Sequence, residues 1–555
     1  MEAALNFWTP SSSRSFHTSV AKLRKVTRNP PEPQFYRGST TPDPDGHVLS
    51  LGDELQMADN LAYLAHWEEN VRMISAVTLE EHPSGLVVVL ASNSTPSQSI
   101  IAGLRDILAT VCQYCTLRKK RQEFCRSLFL KVLQLSQRRI LGRIRPPWIQ
   151  QPSHIRKKRP FLKVQLLDLA RQLKKRLAFA PQLLVTYDQV CGLIDSLEPL
   201  SRRLEHDDIN RALEHVIMKC ASIAAVGNMH SLEEHLKSHG VPSVLYDASE
   251  VRQIDKLARY LFLCKDFLRL ARKPEYRTLF NHIDVTALKA YSATFRPGLS
   301  LKCFVHAEIQ QILYLERHTC QLAVRALGCS KSACYLCDLF ILKQSRYHVS
   351  HAHRRLYEQW TIPDVDWMTE AQACTFRAII QDMIQHMNEA TRFRQARAMP
   401  WGLDPLESKA FLPLSSGSTV SSDTVVLLSS RVSSHSAYRL SPPSDRQESS
   451  VVITSADLPF QSKVGIGREP LDVQIDQLHV SFEFVSISAG WISVRRTTQL
   501  QDPSNRQLMS VEASTIPTDD EIKVPCDPKT SQVRFQLRHG PQLCIEVGFL
   551  WEKVE

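Results

Sequence analysis

The sequence predicts a multidomain α/β protein: a basic helical half, a central helix–strand–helix segment, and a small antiparallel β domain toward the C-terminal end. Three patterns carry this expectation. Apolar residues recur at three and four positions through much of residues 53–273, elements of both periods surround His306 and Cys337, and short runs after residue 451 alternate apolar with polar side chains. At 555 residues the chain exceeds what one hydrophobic core organises, and a 43% hydrophobic content suits globular domains.

The first thirty residues hold one acid, Glu2, against Arg14, Lys22, Arg24, Lys25 and Arg28, with serines at Ser11 to Ser13. Two readings are open for residues 1–35: a disordered basic terminus, or a mitochondrial presequence, whose processing motif the stretch Arg14-Ser15-Phe16-His17-Thr18-Ser19 resembles. Fourteen cysteines without a secretory signal point to an intracellular chain with reduced thiols and metal ligation, nuclear, cytoplasmic and mitochondrial destinations all being open. No run of about 18 apolar residues exists, so no membrane span is expected.

Residues 36–250 read as a helical domain. Its basic block, residues 118–176, carries 19 Lys/Arg against only Glu123 and Asp168, a net +17 where the whole chain is +11, which leaves the rest of the chain at −6. A block of this density is a footprint for polyanions, because neutralised phosphates release counterions, and nucleic acid is the partner it suggests. A nuclear-import patch at Ile155-Arg156-Lys157-Lys158-Arg159-Pro160 and plain solvated helix faces are the alternatives. Pro146, Pro147, Pro152 and Pro160 interrupt the basic helices and mark a connection between them. Further on, Ile254, Leu257, Ala258, Leu261 and Cys264 line one face of a helix expected to pack onto something downstream.

Residues 399–450 read as a serine-rich disordered linker, since a segment with so few large apolar residues cannot offset its ordering entropy. Beyond it, in residues 451–555, Leu471, Val473 and Ile475, then Val480, Phe482 and Phe484, then Val533, Phe535 and Leu537 alternate with polar residues. That is the period of half-buried strands.

Residues 251–398 carry the chemistry. Phe304-Val305-His306-Ala307-Glu308 is followed, after a gap of 25 residues, by Cys334-Tyr335-Leu336-Cys337: H-x-E, then C-x-x-C. Zinc prefers thiolate and imidazole, and a catalytic zinc takes three protein ligands and leaves one position to water. His306, Cys334 and Cys337 supply three. If each ligand group opens a helix, the two cysteines share one face, and the positive end of the helix favours their thiolates. His306 and Glu308, two apart, can serve one cavity only at a helix edge. The helix that follows is expected to bury Ile309, Ile312, Leu313 and Leu315, and the alternation of Cys320, Leu322, Val324 and Ala326 predicts a strand between the motifs.

This constellation resembles the zinc-dependent nucleobase deaminase superfamily, whose signature is H-x-E followed by P-C-x-x-C. More narrowly, Val305-His306-Ala307-Glu308-Ile309-Gln310 with Cys329-Ser330-Lys331-Ser332-Ala333-Cys334-Tyr335-Leu336-Cys337 is similar to the branch shared by fungal deaminase-like proteins and bacterial toxin deaminases, where C-S-K-x-x-C-x-x-C replaces the commoner form. Ala333 stands where that commoner pattern has proline. The resemblance implies a mixed sheet packed with helices, a Zn2+ ion on His306, Cys334 and Cys337, and Glu308 as the proton-moving catalytic residue of a C–N hydrolase acting on a base, within nucleic acid if the basic block serves it. A non-catalytic zinc module that binds nucleic acid or partners, with Cys329 as a fourth ligand closing the site, and a free nucleoside or nucleotide deaminase are the alternatives. Lys331 faces either a substrate phosphate or solvent. His351 and His353 read as pocket, surface or core groups, and the Cys112-Gln113-Tyr114-Cys115 motif, with no histidine pair near it, as ordinary helix cysteines.

Overall fold

The computed structural model describes residues 7–31, 33–36, 46–117, 121–150, 159–226, 231–295 and 302–396, followed by 426–429, 451–454, 457–464, 471–475, 478–484, 490–496, 509–512, 532–539 and 543–551. It has two compact units, Met1–Leu414 and Ser415–Glu555. The first is mostly helical and contains a mixed sheet.

In the first unit, helix α1 (Pro10–Val26) is followed by β1 (Gln34–Phe35), helix α2 (Leu51–Ala65) and a hairpin of β2 (Ser75–His82) and β3 (Gly85–Ser92). Helices α3 (Gln98–Leu117), α4 (Arg121–Ile144), α5 (Leu162–Arg176), α6 (Leu184–Ser196), α7 (His206–Ala224), α8 (Leu232–Ser238), α9 (Ser243–Tyr246) and α10 (Ser249–Arg272) come next. The chain then returns to the sheet as β4 (Ile283–Ala287), passes through β5 (Thr294–Phe295) and β6 (Lys302–Cys303), and ends the unit with α11 (Ala307–Arg317), β7 (Gly328–Cys329), α12 (Tyr335–Gln344), β8 (His351–Ala352) and α13 (Glu370–Ala396).

The sheet order is β4-β3-β2-β7. β2 pairs antiparallel with β3 and with β7, placing Leu79 opposite Val88 and Ala76 opposite Cys329, while β4 runs parallel to β3 with Val285 opposite Val88. Strand side chains alternate between faces. Val77 and Leu79 join a core with α2 and the helices α3 to α10, whereas Ala76 and Ala91 meet Ala307 at the start of α11. The expected boundary at residue 250 therefore falls inside one sheet, because the hairpin that forms its centre comes from residues 75–92. The run Gly85-Leu86-Val87-Val88-Val89-Leu90-Ala91, rich in β-branched residues, is the local signal for that strand.

Three other local expectations are corrected. Residues 7–26, for which one open reading was a disordered terminus, begin with Phe7 and Trp8 and continue as a capped helix: Thr9 Oγ1 accepts from the Ser12 amide at 3.0 Å, and Pro10 opens the first turn. The apolar face of that helix, Phe16, Val20 and Leu23, is buried with Phe7 and Trp8 against α11, α12 and α13, leaving Arg14, Lys22 and Lys25 exposed. Trp8 Nε1 donates to the Ile362 carbonyl at 2.8 Å. The strand expected at 320–326 does not form: within it only Ala326 makes an isolated bridge, to His348, where Leu327 donates to the His348 carbonyl and His348 to that of Arg325, and the short strand β7 begins beyond it at Gly328. Helix α10 buries Ile254, Leu257, Ala258 and Cys264 as its period required, but against α7, α4 and α3, which precede it.

Parts of the basic block, Arg118 to Lys120 and Arg156 to Lys158, lie outside the described residues. Of those described, Arg139 and Arg143 are interior side chains, 1% and 4% exposed, that share Glu69 at 3.1 and 2.6 Å. Arg139 also stacks 4.4 Å from the Tyr63 ring. Arg121, Arg126, Arg138, Arg159, Arg171, Lys174 and Lys175 are exposed. Helix α3 is long and apolar enough to cross a membrane by length and composition, a candidate the sequence reading did not recognise; its Ile100, Leu104, Ile107 and Val111 face packs in the helical core.

In the second unit the strands are β9 (Val426–Ser429), β10 (Val451–Thr454), β11 (Phe460–Val464), β12 (Leu471–Ile475), β13 (Leu478–Phe484), β14 (Gly490–Arg496), β15 (Met509–Glu512), β16 (Gln532–His539) and β17 (Leu543–Trp551). They form two sheets, β10-β12-β13-β9 and β11-β14-β17-β16-β15, antiparallel except where β10 pairs with β12 and β15 with β16. Val533, Phe535 and Leu537 are buried, as their alternation predicts. The serine-rich stretch lies outside the described residues apart from β9, which pairs with β13.

Candidate metal centre

Helix α11 is fastened to the sheet by two buried glutamines. Gln310 Nε2 donates to the carbonyls of Ser92 and Val305, and Gln311 Nε2 to those of Ala76 and Val89, while Gln311 Oε1 accepts from Thr78 Oγ1. The small side chains of Ala76 and Ala91 let the first turn approach the sheet closely. The amide of Ala307, one of the donors a helix start leaves without an internal acceptor, donates to Asn93 Oδ1 at 3.1 Å. His306 is thereby held as the residue preceding the first turn, with extended backbone.

Cys334 occupies the same position at the start of α12, where its sulfur accepts from the Cys337 amide at 3.4 Å. The backbone before it is pinned when Ala333 donates to the His351 carbonyl at 3.0 Å. One strand away, Gly328 allows α2 to cross β7: a Cβ there would lie 2.1 Å from the Ala58 carbonyl carbon. Asp59 Oδ1, on the next residue of α2, accepts from the Cys329 amide at 2.7 Å.

These two helix starts bring three ligand atoms together. His306 Nδ1 lies 3.5 Å from Cys334 Sγ and 3.4 Å from Cys337 Sγ, and all three atoms lie within 4.8 Å of one another. Zinc bound tetrahedrally, with sulfur at about 2.3 Å and nitrogen at 2.0–2.1 Å, puts nitrogen and sulfur about 3.6 Å apart. The residues fit the ion. Among the described residues no other group of three or more His, Cys, Asp or Glu side chains has this geometry.

Glu308, in the first turn of α11 and 5% exposed, places Oε2 3.6 Å from Cys337 Sγ. It stands beside the triad without belonging to it. Burial pushes its carboxyl up, against the opposing charge of His306. For Cys334, burial also favours the neutral thiol, but the hydrogen bond with Cys337 and the charge of His306 outweigh it and hold this thiol well below its ordinary range. Cys337 is pushed well above by burial and by Cys334.

Sequence reasoning missed Trp360. Its indole Nε1–H donates to Cys337 Sγ at 3.3 Å, and the ring is completely buried. No spacing rule marks a tryptophan 23 residues after the second cysteine; only the fold brings it there. Tyr357 was missed likewise, and its ring meets that of His306 edge-on at 6.2 Å and that of His353 at 5.9 Å. His351 and His353 are both buried, and His353 Nδ1 accepts from the Arg355 amide. Cys329 is buried but lies outside the ligand group, its sulfur 3.7 Å from the Leu327 carbonyl. Cys112 and Cys115 lie on α3 outside any such group, with burial pushing the Cys112 thiol up to about 11.

One histidine and two cysteines at two helix starts, with a carboxylate beside them, are consistent with a deaminase zinc site. Residues 305–364 match the family model described as OTT_1508_deam-like deaminase, and this segment is a deaminase-like domain of the cytidine-deaminase-like superfamily. The match spans about a tenth of the 555-residue chain. No curated protein and no solved structure matches the chain.

Proposed function

We propose that this protein hydrolyses the exocyclic amino group of a nucleobase, releasing ammonia. The observation that carries the reading is the pairing of a three-residue His-Cys-Cys group with a buried carboxylate beside it that does not belong to the group. His306, Cys334 and Cys337 would hold a zinc ion, which would supply the Lewis acidity that lowers the pKa of water from about 16 toward about 7. Glu308 takes one proton from water and passes it to the ring nitrogen as the hydroxide oxygen bonds to the amino-bearing carbon; it then takes the proton of the new hydroxyl and delivers it to the amino group, so that the C–N bond breaks, a carbonyl forms and ammonia leaves. A carboxylate suits this because it accepts and returns a proton. Trp360 and Asn93 act as positioning residues, one on the Cys337 sulfur and the other on the start of α11.

We assign the base to a nucleic acid strand. What supports this is the number of exposed cations on α4 and α5, among them Arg121, Lys174 and Lys175, since such groups suit phosphates.

The test is incubation of zinc-loaded protein with single-stranded DNA, RNA and nucleosides, reading base conversion and ammonia by mass spectrometry. Conversion that falls a hundredfold or more in Glu308→Gln, with zinc retained, is the expected result. Cys329→Ser should keep both zinc and activity. Loss of zinc in Cys329→Ser, together with a Glu308→Gln variant indistinguishable from wild type, makes the site a closed structural one and ends the enzyme reading.

A further inference from the structure

A cavity of about 450 Å³ lies between the C-terminal end of α4, the loop following α2, and the loop that leads from β7 to Cys334. We propose that it binds the phosphate group of a small phosphorylated ligand, of mononucleotide size, at a site separate from the strand that carries the base.

The walls carry the argument. Arg138, Arg143, Arg145, Arg159 and Lys331 line the cavity against two carboxylates, Glu68 and Glu69, a net of +3. Glu69 is already shared between Arg143 and the buried Arg139, so that three-member group keeps one positive charge of its own. Like charges gathered in a concave, low-dielectric wall focus a positive potential, and guanidinium groups present forked donors that match phosphate oxygens. Arg143 Nε is buried with no hydrogen-bond partner among the described residues.

The backbone supports the same assignment. Arg145 has φ +55°, a left-handed conformation that a residue with a side chain adopts at a cost, and strain of this kind collects at ligand sites. Its Nε donates to the Pro160 carbonyl at 3.1 Å, beside Arg159. Burial, followed by the nearness of Arg159, pushes the Arg145 guanidinium down to about 10, a measure of how crowded the cations are. The volume lies in the range of small-molecule sites, too small for a folded partner.

Two connections tie the cavity to the metal centre. Lys331 precedes Cys334 by three residues in the same loop. Val71, which also lines the cavity, accepts from Asn93 Nδ2 at 3.0 Å, and the Oδ1 of the same asparagine accepts from the Ala307 amide beside His306. One side chain thus couples the cavity wall to the start of α11. The anion site stands on the cavity and its cations, independently of the reaction proposed above.

Calorimetry on the zinc-loaded 555-residue chain tests this without turnover. The probes are inorganic phosphate, a nucleoside 5′-monophosphate, the unphosphorylated nucleoside, and a single-stranded oligonucleotide. Saturable one-to-one binding of phosphate and monophosphate is expected, weakened about tenfold by Arg159→Gln and by Lys331→Gln, since a hydrogen bond to a charged group is worth at least one decade of affinity. Zinc content and melting temperature should stay unchanged in both variants. No saturable phosphate binding, or equal binding in wild type and variants, overturns the proposal and leaves the deaminase reading intact. If the variants weaken only the oligonucleotide, the cations belong to a strand-binding surface and the small-ligand site is wrong. Absence of deamination, with phosphate binding as expected, counts against the enzyme and not against the site.

Discussion

Replacing Trp360 with Phe removes one donor from the metal centre and keeps an aromatic ring in the same core. In the structure the indole Nε1–H donates to Cys337 Sγ at 3.3 Å, and the ring packs 5.5 Å from Phe16 and 6.1 Å from Phe340. A hydrogen bond to a charged group is worth about 1.5–3 kcal/mol, and a partner of a metal ligand typically changes metal affinity 10- to 100-fold. At about 1.4 kcal/mol per decade these two scales agree, so zinc affinity should fall by one to two orders of magnitude. The missing part of the indole also leaves a void, which costs folding stability less than the 3–5 kcal/mol typical of Trp→Ala. Packing and metal effects are separated by Phe340→Leu, which trims the same aromatic cluster without touching a ligand. Competition for zinc against a chelating dye gives affinity, and thermal melting gives stability. Loss of stability in both variants, but of zinc affinity only in Trp360→Phe, is the expected pattern. Unchanged zinc affinity in Trp360→Phe, or an equal loss in Phe340→Leu, refutes the claim that the indole supports the Cys337 thiolate.

Gly328→Ala places a methyl group 2.1 Å from the Ala58 carbonyl carbon and 2.4 Å from its oxygen, both backbone atoms, so α2 must leave β7. A loss of about 3 kcal/mol or more, with weaker zinc retention, is expected from melting and metal analysis, and a melting temperature within error of wild type contradicts it. Glu69→Gln leaves Arg139 and Arg143 buried without their carboxylate. Its cost should be about 1–3 kcal/mol, less than for a fully buried pair, because the Glu69 side chain is 38% exposed and water screens it. Burial alone would raise the Glu69 carboxyl, but Arg143 and Arg139 hold it well below the ordinary value of 4.5. Its contribution is therefore present at neutral pH and is lost as pH falls through that value and below. Acid denaturation should be shallower in Glu69→Gln over that window, and parallel curves would show that the pair does not act this way.

The convergence of His306, Cys334 and Cys337 into a group that could hold a metal was legible because its chemistry is local. Cys334 and Cys337 sit three apart at the start of one helix and His306 at the start of another, so spacing and capping position fix which atoms face inward before any tertiary contact forms. The burial of Ile309, Ile312 and Leu313 and the strands at Leu471–Ile475, Leu478–Phe484 and Gln532–His539 followed from periodicity for the same reason. Side-chain alternation and helical pitch are properties of a short stretch of backbone, and residues a few positions apart suffice to encode them. Four features depended on distant partners. The hairpin at 75–92 became the centre of the sheet by pairing with strands some two hundred residues later, and the basic N-terminal segment folded because α11 to α13 cover its apolar stripe. Arg139 and Arg143, indistinguishable in sequence from surface cations, became interior groups because Glu69 and Tyr63 lie opposite them. Trp360 reached Cys337 through the return of the chain after β8. Sequence thus determined which residues can hold the metal. Which residues support it, and which charges stay open to a ligand, only tertiary packing decided, since hydrogen bonding and desolvation depend on what lies across the gap rather than along the chain.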